Sequence, residues 1–285
     1  MKTAIITGAD GGIGKELTMD LAKKGFRIVM ACRDKEKGSL VCRQIAEKVK
    51  DASIEVMEID LASFRSINQF VQDFQSKYDK LDVLLNNAGV LHHQPHLTEQ
   101  GVEYNIGVNY LGAYLLTEQL FPYMCEGTRI VNTVSLMLRY GKIAPDFFAF
   151  TPSHYNRFTY YSYSKLALYY ATLEWAQKWK DKGITVNCVD PGIVNTNIIR
   201  TYNKCIDKLC DIFYRPIIRT PRQGADSIIY LATEIPSDNV TGKVFKNRTI
   251  KKIAQSIECS TQRASLLKQT EDFITKQQIS EQVNE

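Results

Sequence analysis

The sequence predicts an α/β fold: a single domain built on a doubly wound parallel sheet of about seven strands, with helices on both faces. Three observations carry this. Short apolar runs alternate with amphipathic stretches from the first residues onward. The runs are almost continuously apolar, as strands covered on both faces must be. The first run leads directly into a Gly-rich turn, Gly8-Ala9-Asp10-Gly11-Gly12-Ile13-Gly14, and an amphipathic stretch begins within it. Right-handed crossovers between parallel strands then place a ligand at the strands' carboxyl ends.

The elements follow in order. Residues 3–7 read as a buried strand and 13–24 as an amphipathic helix stopped by Gly25. Residues 27–31 give the second strand, and 35–48 the next helix. Short apolar strands at 54–58 and 81–85 are separated by a helix around 63–78. A long helix near 102–121 precedes a strand at 129–134. Residues 160–180 are helical, with Gly183 as the stop signal just beyond. Residues 184–189 form a strand ended by Pro191-Gly192. A helix at 221–232 and a short strand at 243–245 close the pattern. The domain is expected to span 1–246, with a substrate lid at 193–221. Residues 247–285 read as a polar C-terminal extension holding a surface helix around 264–275 with a frayed end.

Composition excludes several classes. At 285 residues the chain fits one α/β domain with a tail. Hydrophobic content of 44% and charged content of 24% are ordinary for a soluble globular protein. A net charge of +5 without a basic, aromatic-interleaved run argues against nucleic acid. The cysteines at 32, 42, 125, 188, 205, 210 and 259 show no CxxC pair. Of the 4 histidines, His92, His93 and His96 share a polar loop with Pro95, so no metal site is expected. No signal peptide or membrane span is legible, and reduced cysteines point to the cytosol.

The chemistry resides in a few residues. Glycines after the first strand let the backbone approach a pyrophosphate, and the helix beginning there offers free N–H groups to it. The second strand ends Ala31-Cys32-Arg33-Asp34. An acid at its end would accept from a ribose 2′-OH and select NAD(H). Here Cys32 stands in that place, Arg33 follows, and Lys15 succeeds the Gly-rich turn. Two cations suit a 2′-phosphate, so NADP(H) is favoured over NAD(H). Asp34 facing the ribose is the opposing reading. Tyr161 and Lys165 stand four apart within a helical segment, which puts a phenol and an ammonium one turn apart on one face. A neighbouring ammonium lowers a phenol's pKa and readies it for proton transfer with an alcohol.

Thr7–Gly14, Asp60-Leu61, Asn86-Asn87-Ala88-Gly89, Asn109, Ser135, Tyr161 with Lys165, and Pro191-Gly192-Ile193-Val194-Asn195-Thr196 occur in that order. In this the chain resembles the short-chain dehydrogenases/reductases, whose fold is of the Rossmann type. Further segments are similar to the branch of retinol dehydrogenases and WW-domain oxidoreductases: Ala-Cys-Arg-Asp at 31–34, Val-Asn-Tyr-Leu-Gly at 108–112, Tyr-Ser-Lys-Leu-Ala at 163–167 and Thr-Pro-Arg-Gln-Gly-Ala at 220–225. The likeness covers about residues 3–246.

The resemblance implies roles. Tyr161 becomes the general acid/base, and Lys165 holds the nicotinamide ribose and tunes Tyr161. Ser135 binds the substrate oxygen. Asn109 helps hold a water. Cofactor contacts are implied for Thr7, Gly8, Gly12, Ile13, Gly14, Lys15, Arg33, Asp60, Leu61, Asn87, Ala88, Gly89, Tyr161, Lys165, Pro191, Gly192, Val194 and Thr196. Taken singly, Ser135 also fits an ordinary strand end, Asn109 a helix kink and Pro191-Gly192 a plain turn.

Some features depart from the pattern. Only Ser135 stands where a pair of serines is common. The gap from Ser135 to Tyr161 is wide and aromatic, as in the retinol dehydrogenase branch. A helical anchor before the first strand, carried by many retinal reductases, is missing. The apolar residues of 198–219 imply a lipophilic substrate, and their interleaved cations also fit peripheral contact with an acidic membrane. The expected activity is NADP(H)-dependent interconversion of a lipophilic carbonyl and its alcohol. A non-catalytic NADP(H)-binding sensor or scaffold is the competing expectation. Homo-oligomers are expected because relatives often form them.

Overall fold

The computed structural model describes residues 1–194, 219–234 and 240–283. Its strands are β1 (Thr3–Thr7), β2 (Arg27–Cys32), β3 (Ser53–Glu58), β4 (Leu81–Asn86), β5 (Met124–Thr133), β6 (Thr185–Val189), β7 (Val244–Lys246) and β8 (Thr249–Lys251). They form one sheet in the order β3-β2-β1-β4-β5-β6-β7-β8. All neighbours are parallel except β7 and β8. The strand order reverses between β1 and β4, which opens a crevice at their carboxyl ends.

The eight strands among the described residues exceed the expected seven by one. β8 is short, and all three of its residues are exposed, so it carries no apolar pattern. A two-residue turn creates it: Asn247 and Arg248 both have positive φ, at 54° and 59°. Such a turn matches the natural twist of a hairpin.

The helices are α1 (Gly12–Lys23), α2 (Lys35–Ala46) and α3 (Phe64–Gln75), then a composite α4. Next come α5 (Arg157–Lys178), α6 (Pro221–Thr233) and α7 (Ser260–Val283). Their starts are encoded locally. Asp34 accepts from the Lys37 amide, Ser63 from Ser66, and Asn156 from Phe158 and Thr159. Thr220 and Gln223 form a reciprocal capping box. The α4 segment begins at Tyr104–Ile106, widens to a π-helical stretch at Gly107–Gly112, and resumes as α-helix at Ala113–Leu120. Such bulges concentrate at functional sites, and this one holds Asn109.

Two apolar layers flank the sheet. One packs Phe70, Phe74, Tyr110, Trp175 and Leu266. The other packs Leu17, Leu21, Ile45 and Ile228. α7 is longer than the sequence suggests, and it docks rather than lying free. Leu266 and Thr270 are fully buried, and the Thr270 hydroxyl lies 2.7 Å from that of Tyr110. Its polar surface hid these contacts, because only a narrow stripe faces inward. The calls on 198–218 and on Thr196 lie outside the described residues. Among the described residues no helix is long and apolar enough to cross a membrane.

Candidate active site

A cavity of about 620 Å³ runs along the crevice between the carboxyl ends of β1 and β4. Its floor is laced across the switch point. The Thr7 hydroxyl accepts from the amides of Asn87 and Ala88, both at 3.0 Å, and donates to the Leu85 carbonyl. The Asn87 side chain returns a bond to the Thr7 carbonyl at 3.0 Å. Gly14 does not line the cavity; it lets α1 press against the turn. A Cβ there would stand 2.0 Å from the Gly8 carbonyl oxygen.

Of the sequence candidates, Thr7, Gly8, Gly12, Ile13, Arg33, Asp60, Leu61, Asn87, Ala88, Gly89, Ser135, Tyr161, Lys165, Pro191, Gly192 and Val194 all line this one cavity. Gly14, Lys15 and Asn109 do not. Lys15 turns toward α2 and donates to the Gln44 side chain at 2.7 Å. Lys37 takes its place at the wall, where it pairs with Asp10. The signal for Lys37 was the cap at Asp34, which starts α2 so that its first turn faces the Gly-rich turn. Arg33 donates to the Tyr104 hydroxyl at 2.8 Å. Asp34 lines the cavity too, but its carboxylate is engaged in capping α2. Cys32 is fully buried, and burial pushes its thiol up to about 12, so it offers nothing to a ligand.

At the other end stand Ser135, Tyr161 and Lys165. The N-cap of α5 at Asn156 sets the helix phase that turns Tyr161 and Lys165 inward together. The Lys165 ammonium lies 5.5 Å from the centre of the Tyr161 ring and donates to the Thr133 carbonyl at 2.9 Å. Burial lowers its pKa to about 8. The Tyr161 phenol moves the other way, to about 12. Burial drives it up, a hydrogen bond with Ser135 pulls it down, and the charge of Asp190 raises it further. Burial is the dominant cause at this phenol, against the lowering expected from Lys165. Tyr160 and Tyr163 turn elsewhere, into an aromatic group with Tyr155 and Phe150.

Asn109 sits one layer behind. Its carbonyl oxygen accepts from the Val90 amide at 2.7 Å, and its amide donates to the Val90 carbonyl and to the Ser164 hydroxyl. It pins the loop after β4 to α5. A Cβ on Gly89 would stand 3.4 Å from both the Asn109 side-chain oxygen and the Lys165 nitrogen, so this loop, α4 and α5 converge there. Val90, Leu91, Met137, Phe158 and Ile193 add an apolar wall at this end, and none of them was among the sequence's site candidates.

A switch-point cleft with a Gly-rich turn at its floor is the site of a dinucleotide-binding protein. Comparison with known proteins narrows this. A family model described as short chain dehydrogenase matches residues 2–206. Retinol dehydrogenase 11 of Mus musculus is 37% identical over 249 residues, covering 86% of this chain and 78% of the relative. An uncharacterized protein from Mycobacterium paratuberculosis superposes with a TM-score of 0.77 at 26% identity, over 96% of this chain and 93% of the other. A variant of actinorhodin polyketide ketoreductase, solved with NADPH, superposes with a TM-score of 0.65 at 23% identity. It matches 85% of this chain and 94% of its own. The chain belongs to the short-chain dehydrogenase/reductase family, in its retinol dehydrogenase branch. As such it is an oxidoreductase of carbonyls and alcohols that uses a nicotinamide dinucleotide.

Proposed function

We propose that the protein is an NADP(H)-dependent oxidoreductase that interconverts a lipophilic carbonyl compound, such as a retinal-like aldehyde, a steroid or a ketone, with its alcohol. The observation that carries this reading is the meeting of Ser135, Tyr161 and Lys165 at one end of a cleft whose other end presents Arg33 and Lys37. Two cations beside the end of β2 suit a 2′-phosphate, and Arg33 has the geometry to grip it. Lys37 replaces Lys15 as the second cation. Retinol dehydrogenase 11 and the NADPH-bound ketoreductase support the same reading by likeness.

The glycines, Thr7 and the Asn87–Gly89 stretch would cradle a dinucleotide, and the N–H groups at the N-terminus of α1 would hold its pyrophosphate. When bound, the nicotinamide supplies or accepts the hydride. The chain's own residues handle the proton and the position. Ser135 holds the substrate oxygen within reach of the Tyr161 hydroxyl. In reduction, Tyr161 donates its proton to that oxygen; in oxidation it takes the proton back. Lys165 holds positive charge beside the phenol and would hold the nicotinamide ribose when the cofactor is bound. Asn109 keeps the loop after β4 in register. Val90, Leu91, Met137, Phe158 and Ile193 give the substrate an apolar wall.

The test is a panel of retinal-like aldehydes, steroids and ketones, assayed with NADPH and NADH in parallel. The expected result is turnover with NADPH that Tyr161→Phe lowers by orders of magnitude while NADPH fluorescence still reports binding. Binding without turnover on any member of the panel would favour a sensor or scaffold instead.

A further inference from the structure

At the end of the cleft away from Tyr161, the Arg33 side chain reaches across the switch point. It leaves the chain just after β2, and its Nη1 donates to the Tyr104 hydroxyl at 2.8 Å. Tyr104 opens α4, which follows β4. Strand β1 lies between β2 and β4, so this one bond joins the two sides of the crevice. Both residues line the cavity.

The two partners are held very differently. Arg33 is exposed, whereas Tyr104 is 9% exposed and fixed from several directions. The Tyr104 amide donates to the His96 carbonyl at 3.0 Å. The rings of His92 and His96 meet the phenol ring at steep angles, with centroids 5.1 and 4.9 Å away. The loop that carries these histidines is tied to α4 in turn. The His92 amide donates to the Asn105 side chain at 2.8 Å, and the Asn105 side chain donates to the buried Glu103 carboxylate at 2.6 Å. Tyr104 is a fixed post, and Arg33 leans on it.

We propose that Tyr104 is a positioning residue for cofactor selection: its hydroxyl holds the Arg33 guanidinium ready for the 2′-phosphate of the cofactor. This deepens the proposed NADP(H) reading and rests on it.

The physical argument joins order to charge. A free arginine samples many rotamers, and freezing them on a ligand weakens binding. A bond already made in the empty cleft removes part of that loss. The chemistry of the post matters as well. A carboxylate here would also hold the guanidinium, but it would cancel the charge that a phosphate seeks. A phenol is uncharged near neutral pH. It takes a single N–H of the guanidinium fork and leaves the others for phosphate oxygens. Lys37 shows the contrast, since its ammonium is paired with the Asp10 carboxylate.

The experiment uses the full chain and two probes that differ only in the 2′-phosphate, adenosine 2′,5′-bisphosphate and 5′-AMP. Titration calorimetry measures both affinities and needs no turnover. The parent chain should prefer the bisphosphate by roughly 10–100-fold. Tyr104→Phe keeps the ring and its contacts with His92 and His96. It should weaken the bisphosphate by about 3–10-fold, the value of one hydrogen bond, and leave 5′-AMP unchanged. Arg33→Ala should remove most of the preference. Adding Tyr104→Phe to Arg33→Ala should change nothing more, because the hydroxyl acts through the guanidinium. An equal loss for both probes would make Tyr104 a packing residue for the adenosine. A loss that persists without Arg33 would make it a direct phosphate contact. Tighter bisphosphate binding in Tyr104→Phe would make the phenol a competitor of the phosphate. Each of these overturns the proposal, as does a Tyr104→Phe variant that matches the parent, and in all four cases the NADP(H) reading stands. A parent chain without preference for the bisphosphate sinks the NADP(H) reading, and the role of Tyr104 falls with it.

Discussion

The two ends of the cleft are built in opposite ways. Near the end of β2 the charges face water: Arg33 is exposed, and Lys37 keeps 49% of its side chain in solvent while pairing with Asp10. At the catalytic end the charges are inside: Lys165 is 3% exposed and bonds to a backbone carbonyl. Exposed charges are cheap to hold and weakly coupled to their neighbours. They suit recognition of a phosphate that arrives with its own charge. Buried charges cost stability but act strongly on whatever ionises beside them. They suit chemistry. One end is therefore tunable by surface substitution, and the other trades stability for reactivity.

The largest expected effect tests the buried end. Tyr161→Phe should lower kcat by about 10²–10⁴, the usual range for loss of a positioned acid/base, with cofactor affinity retained. Steady-state kinetics alongside NADPH fluorescence separate the two quantities. Ser135→Ala should cost about 10²–10³ in kcat, as for loss of a donor to a charged oxygen.

Lys165→Met sharpens the trade between stability and chemistry. The ammonium's pKa is about 8 in the fold and 10.5 for an ordinary lysine. The unfolded chain thus binds this proton more tightly, and below pH 8 the native state carries a penalty that fades as pH rises toward 10.5. The variant should therefore lose activity and gain up to about 3 kcal/mol of stability at neutral pH, and less at alkaline pH. Denaturant melts at the two pH values check this; a gain that did not shrink with pH would contradict the buried-charge account.

The exposed end should respond more gently and selectively. Arg33→Ala should raise KM for NADPH by roughly 10–100-fold, the value of one charge-assisted contact, and leave KM for NADH nearly unchanged. Lys37→Ala should do the same by only a few fold, because its pairing with Asp10 must be given up on binding. If NADH suffered equally, the 2′-phosphate reading of this end would be wrong.

Much of this was legible in the sequence because local signals agreed. β1, the Gly-rich turn and α1 announce themselves through apolar continuity, spaced glycines and a 3.6-residue period. Tyr161 was separable from Tyr160 and Tyr163 because helical spacing to Lys165 fixes a direction. The heading of Lys15 was not legible, because proximity in sequence does not give it: the side chain leaves the helix toward α2 and bonds to Gln44. Lys37 was hidden because its place depends on where Asp34 caps α2. β8 had no apolar signature, only a turn. The pairing of Asp190 with Lys246, 56 residues apart, exists only once β6 and β7 lie side by side. The upward shift at the Tyr161 phenol was not legible, because spacing reports a neighbour but not the loss of water around both groups.

The docking of α7 has a consequence in time. The aromatic stretch between β5 and α5 leans on that helix: the Phe147 amide donates to Gln269, and Phe148 stacks near Phe273 at 4.8 Å. Tyr110 must wait for Thr270, 160 residues further along. On the ribosome, the sheet's first strands can pair while this wall still lacks its backing. The catalytic side of the molecule is thus finished late in synthesis, and a nascent chain stalled before α7 would present Phe148 and its neighbours to chaperones rather than to substrate.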